Sequence, residues 1–244
     1  MKKILSVLIL FLALLPLVAA PKTGKNPIVI KKGYTVPEWV ETVMTATSQQ
    51  QIRSAFDIPE TRGVLATWIK NDREEVSKCS AVIDIYTQIM AEIVSDAQRQ
   101  YDELQNSPNS STGAFQIKGF SSYATSESNE DGSITLVRMF KSPFSFESEV
   151  TFVKTASAVT TTYRYLVNGT EKTDKNITYA DLAALKNEFN KAFSDLAVKD
   201  EGFCTIGYTN TQNKESYYIT YYVLSYDKSG FDKIVQEQLL TLMN

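Results

Sequence analysis

Apolar residues open the chain in one uninterrupted block. Lys2 and Lys3 precede a run from Ile4 to Leu15 broken only by Ser6, and Pro16 then leads into the small residues Ala19 and Ala20. A short basic start, an apolar stretch and a small-residue end form the pattern of a secretory leader, expected over residues 1–20. The run is shorter than the roughly 20 residues that span a bilayer, so a cleaved leader is expected rather than a transmembrane anchor. Residues 21–36 carry Lys22, Lys25, Lys31 and Lys32 among Gly and Pro, with only Ile28-Val29-Ile30 able to form a strand. They read as an extended arm ahead of a single domain over 37–244.

Beyond Pro37 the spacing alternates between two periods. Val40, Val43, Met44, Ile52 and Phe56 suggest a short irregular helix ending before Pro59, and β-prone residues from Arg62 to Ile69 suggest a strand. Asp72 and Glu75 offer a capping pair. After them Val76, Cys79, Ile83, Tyr86, Met90, Ile93 and Ala97 recur every three or four positions, widened by Val82, Ile85 and Ile89. Such a stripe predicts a long helix with a face to bury. A coiled coil would need more sustained heptads than this repeat supplies. The polar stretch 105–113 marks a linker, where a subdomain split is conceivable.

The period then becomes two. Phe115 and Ile117, then Ile134, Leu136 and Arg138 alternate with their neighbours, which predicts a hairpin with a long connection. Strands are expected over 144–154 and 158–167, with Asn168-Gly169 as a turn. Thr178 and Asp181 cap a helix bearing Leu182, Leu185, Phe189, Phe193 and Leu196. Strands around 202–208 and 216–226 follow, and Ser229 with Asp232 is expected to cap a last helix. Segregated strands and helices predict an α+β fold, a mainly antiparallel sheet with helices packed on one face. The order strand, helix, strand, strand occurs twice, which suggests two similar β-α-β-β halves.

Composition removes several kinds of chemistry. The 244 residues contain no histidine, so His-activated nucleophiles and His-based zinc sites are absent. Losing the leader removes two of 25 basic residues and none of 28 acidic ones, moving the formal charge from -3 to -5. An acidic chain without a basic cluster is a poor binder of nucleic acid. There is no glycine-rich phosphate loop and no Gly-x-Ser-x-Gly turn, and Glu127, Glu130 and Asp131 lack calcium-loop spacing. No cofactor, metal ligand or catalytic residue is assigned.

Two features remain as candidate sites. Cys79 and Cys204 are the two thiols of a chain expected to be exported, and oxidising compartments favour pairing them. The competing reading is that Cys79, on the apolar stripe, is a small buried hydrophobe. Nine of thirteen tyrosines lie at or beyond Tyr163, five of them on one strand: Tyr217, Tyr218, Tyr221, Tyr222 and Tyr226. They suit either cross-strand packing in a sheet covered on both faces or a recognition surface of rings with polar tips.

Pro37-Glu38-Trp39-Val40 after the arm, and Tyr221-Tyr222-Val223-Leu224-Ser225-Tyr226-Asp227-Lys228 leading into the last helix, resemble bacterial envelope proteins of the Lpp-twenty-type lipoprotein family. The resemblance implies a small α+β domain acting as a non-enzymatic envelope component. It does not extend to a lipid anchor, because neither cysteine lies near the leader. The leading expectation is therefore an exported, periplasmic, non-catalytic protein that binds another envelope component or itself. A carrier of small molecules or lipids, with a pocket between the Tyr-rich sheet and the long helix, is the alternative. A carboxylate-based glycan hydrolase is the third reading.

Overall fold

The computed structural model describes residues 27–105, 114–143, 146–173 and 176–244. The leader, the start of the arm and the 106–113 linker lie outside these residues. The fold is α+β, with two wholly antiparallel sheets. The first contains β1 (Ile28–Ile30), β2 (Arg62–Asn71), β9 (Lys199–Asn210) and β10 (Ser216–Asp227), in the order β1-β9-β10-β2. The second is a meander of β3 (Ala114–Ile117), β4 (Phe120–Ser128), β5 (Ile134–Lys141), β6 (Phe146–Lys154), β7 (Val159–Val167) and β8 (Thr170–Lys172).

Among the described residues five helices accompany them. They are α1 (Glu38–Thr45), α2 (Gln49–Ala55), α3 (Glu74–Gln105), α4 (Tyr179–Ala192) and α5 (Lys228–Met243), with a 3-10 turn at Ser194–Leu196. The long α3 lies between the two sheets. Every residue of its expected stripe is buried, and so are Val82, Ile85 and Ile89, because the helix meets β2, β10, α4 and α5. Phe120, Phe140, Phe146 and Tyr165 of the meander join that same core. At its centre Phe189 of α4 stacks on Tyr86 of α3 at 4.2 Å and meets Phe120 of β4 at 5.7 Å.

Helices cover both faces of the four-stranded sheet rather than one. On the face away from α3, Val40 and Val43 of α1, Ile52 of α2 and Phe56 just after it pack over Tyr221 and Val223. Two short helices replace the single expected one. The two β-α-β-β runs are not matched halves of one sheet. In the first, β2 and the strands after α3 belong to different sheets; in the second, β7 belongs to the meander and β9 and β10 to the other sheet. The helices α3 and α4 are thus the two crossings between sheets.

Several boundaries moved for local reasons. The arm contributes β1, which pairs Ile30 with Tyr208. The strand β2 continues to Asn71, and Asn71 Oδ1 accepts the Arg73 N–H at 2.9 Å, so Asp72 does not cap α3. Ser77 on the first turn of α3 donates to the Ile69 carbonyl at 2.7 Å and accepts the Thr220 N–H at 3.0 Å, which ties the helix to the sheet. The Thr178–Asp181 capping box forms as expected. At α5 the cap is Asp227, which accepts the Gly230 N–H at 2.8 Å, and Ser229 donates to that same carboxylate instead of capping. The polar β4 has little apolar signal because it buries only Phe120 and Ser122.

Candidate functional site

The Tyr-rich strand β10 is central in its sheet, between β9 and β2, so alternate side chains meet different neighbours. Toward α3 point Tyr218, Thr220, Tyr222, Leu224 and Tyr226; away from it point Tyr217, Ile219, Tyr221 and Val223. Toward α3 the space is filled. Tyr222 is wholly buried, meets Phe203 edge-on at 5.1 Å and donates to Asp200, which also holds the Lys186 ammonium. Burial, with Asp200 beside it, pushes its phenol well above the usual range. Tyr226 lies flat against Gly63, where any added Cβ would sit 2.2 Å from its ring, and its hydroxyl donates to Glu92 at 3.0 Å.

On the opposite face α1 and α2 reach only part of the sheet. They cover Val223 and Tyr221, whose hydroxyl sits within 3.4 Å of both Met44 Sδ and Tyr208 Oη. The end of the sheet beyond them stays half-exposed. Tyr208 and Tyr217 are cross-strand partners with rings 5.3 Å apart and 20° from parallel. Lys70 Nζ lies 4.0 Å from the centre of the Tyr217 ring, where the cation meets the negative face of the π system. Trp68 stands two residues before Lys70 on β2 and shares this face. Ile30 and Met44 are 45% and 48% exposed.

Tyr217 is flanked by the Tyr208 ring and the Lys70 ammonium. An apolar body with polar tips is the composition of protein contact surfaces. Around the β1 edge, Tyr218 takes a bond from Lys31 Nζ at 2.8 Å and meets Tyr34, whose hydroxyl donates to Glu74 at 2.6 Å. That bond pushes the Tyr34 phenol up to about 12.

The five tyrosines of the possible recognition surface therefore divide. Tyr221, Tyr222 and Tyr226 are buried structural residues, while Tyr217 and Tyr218 remain partly accessible. Trp68, Lys70 and Tyr208 join Tyr217, a grouping visible only once the strands are paired. Cys79 and Cys204, the possible disulfide pair, are both free thiols. They lie on opposite faces of the four-stranded sheet, Cys79 in the α3 core and Cys204 beside Tyr221. Burial pushes their thiols up to about 12 and about 11, which keeps both protonated at neutral pH.

The carboxylates were the remaining route to chemistry. Glu92 on α3 is half-buried, and desolvation raises its pKa against the bond from Tyr226, with Asp96 adding to the rise. A carboxyl with a raised pKa can serve as a general acid, but this one is spent on Tyr226 inside the packing of α3 against β10. Its folded-state pKa lies above the unfolded value, so ionising it costs stability as pH rises through the folded pKa. Glu92→Gln keeps an acceptor for Tyr226 and removes that charge. The variant should be more stable than the parent at pH 7 and lose the advantage near pH 4, measured by urea denaturation at both.

Among the described residues no group of three or more Cys, Asp or Glu is placed to hold a metal ion, and no helix is long and apolar enough to cross a membrane. Two shallow surface depressions, of about 500 and 390 Å³, lie against Thr42, Gln51 and Ser54 and against Gln100, Leu104 and Gln236. Neither adjoins β10. No protein-family model, curated protein or solved structure matches the chain.

Proposed function

We propose that this protein is an exported, non-catalytic component of a bacterial envelope, acting in the periplasm or at the outer membrane by binding another envelope protein or a second copy of itself. The supporting observation is the asymmetry of the Tyr-rich sheet. Toward α3 the space where a carrier would hold its ligand is occupied by Tyr222, Tyr86, Leu224 and Ile89, all wholly buried. Away from α3, Trp68, Tyr208, Tyr217 and Lys70 form a half-exposed patch of rings and one cation. The leader pattern of residues 1–20 and the resemblance of residues 37–40 and 221–228 to Lpp-twenty-type proteins support the envelope setting.

Export is tested by expressing the full chain in a Gram-negative host and sequencing the N-terminus of the protein released from the periplasm. Cleavage within a few residues of Ala20 is expected. An intact N-terminus in the cytoplasmic fraction would overturn the exported reading. Binding is tested by placing a photo-crosslinking residue at Tyr217 in the source cell, where one discrete protein adduct is expected. Adducts indistinguishable from those of the same residue placed at Lys233, on the exposed side of α5, would count against a contact surface here.

A further inference from the structure

Among the terminal strands of the two sheets, β2 is the longest. Thr61 accepts the Lys228 N–H at 3.1 Å, which sets the alternation of the ladder: Gly63, Leu65, Thr67 and Ile69 direct their backbone groups to β10. Arg62, Val64, Ala66, Trp68 and Lys70 then direct theirs outward. The Arg62 carbonyl is taken by Arg53 at 2.7 Å, and Val64 is wholly buried. Ala66, Trp68 and Lys70 are at least partly exposed, and no backbone bond among the described residues uses their outward N–H and C=O groups.

At the other three sheet edges the terminal strands β1, β3 and β8 have three, four and three residues, and their neighbours β9, β4 and β7 run on past them. By contrast β2 has ten residues, pairs with β10 over its whole length without a bulge, and contains no proline. A row of open backbone donors and acceptors on a straight edge is matched by an extended main chain.

We infer that an extended segment of a different polypeptide adds to the edge of β2 as a fifth strand, bonding to Ala66, Trp68 and Lys70. Side-chain chemistry narrows the segment. On the ring-bearing face it places an apolar residue against Trp68 and an acidic one against Lys70.

A second copy of this chain does not supply that match at the same edge: antiparallel pairing of two β2 strands sets only β2 residues opposite Lys70, and β2 carries Arg62 and Lys70 but no acidic residue.

This inference rests on the proposed function only for the existence of a protein partner, and its test is independent of export. The probe is a capped seven-residue peptide, Glu-Thr-Val-Thr-Val-Thr-Glu, added to the full-length protein while amide hydrogen exchange is followed residue by residue. Exchange at Ala66, Trp68 and Lys70 should slow at least roughly tenfold at saturation, with little change at Leu65, Thr67 and Ile69, which already bond to β10. Lys70→Pro, whose lost N–H points away from β10, should abolish the effect. Lys70→Glu should lose the peptide and regain it when both its glutamates are replaced by lysine. Absence of the alternating pattern at millimolar peptide would overturn the inference, as would unchanged protection in Lys70→Pro. So would finding these three amides already protected in a protein that sediments as a dimer.

Discussion

Phe189→Ala should lower the unfolding free energy by about 4 kcal/mol, the cost of removing a buried ring and leaving a cavity its neighbours cannot close. The residue is wholly buried on α4 and stacks on Tyr86 at 4.2 Å. It also contacts Phe120 of β4 and Phe193, with ring centres 5.7 and 4.7 Å away. One side chain therefore joins α3, α4 and the six-stranded meander. Urea denaturation followed by far-UV circular dichroism would read the loss as a shift in midpoint. Leu240→Ala, on the 59% exposed face of α5, should change stability by no more than about 0.5 kcal/mol. Equal effects from the two substitutions would show that the aromatic cluster is not the joint of the fold.

Gly230→Ala should cost about 3 kcal/mol, at the upper end of what overpacking ordinarily produces. Gly230 lies in the first turn of α5, and a Cβ there would stand 1.8 Å from the Asp195 carbonyl oxygen and 2.5 Å from its carbon. Those are backbone atoms of the 3-10 turn, so no side chain can swing aside. The helix would have to lift off the turn, weakening the contact of Lys233 with Asp195 at 2.8 Å and the burial of Phe231 and Ile234. Ser229→Ala, which removes only a hydroxyl bond to the capping Asp227, should cost less than about 1 kcal/mol. Comparable losses from Gly230→Ala and Ser229→Ala would mean that α5 does not press on that turn.

Much of the fold was legible before any strands were paired. The stripe from Val76 to Ala97 named the residues that α3 buries, because helical periodicity is set by the backbone and needs no knowledge of the neighbours. The Thr178–Asp181 box was equally readable, since a cap closes within four residues. The shifts at Asp72 and Ser229 came from competitors one or two residues away, Asn71 and Asp227, whose side chains reached the helix ends first. The strand β4 was missed because its support comes from β3 and β5 on either side, while its own sequence is largely serine, threonine and glutamate.

The candidate surface divides along the same line. Tyrosine enrichment in the last third is a property of the sequence, as are the absent histidine, the acidic charge and the apolar leader pattern. Local periodicity also determined which side chains of β10 share a face. Which face is packed was decided by the tertiary structure: α3 closes over Tyr222 and Tyr226, whereas α1 and α2 stop short of Tyr217 and leave it with Tyr208, Trp68 and Lys70. The same is true of the two cysteines, set on opposite sides of a sheet built from segments more than a hundred residues apart. A residue's own spacing specifies its direction from the backbone; what it meets there depends on distant segments, whose pairing no local pattern encodes.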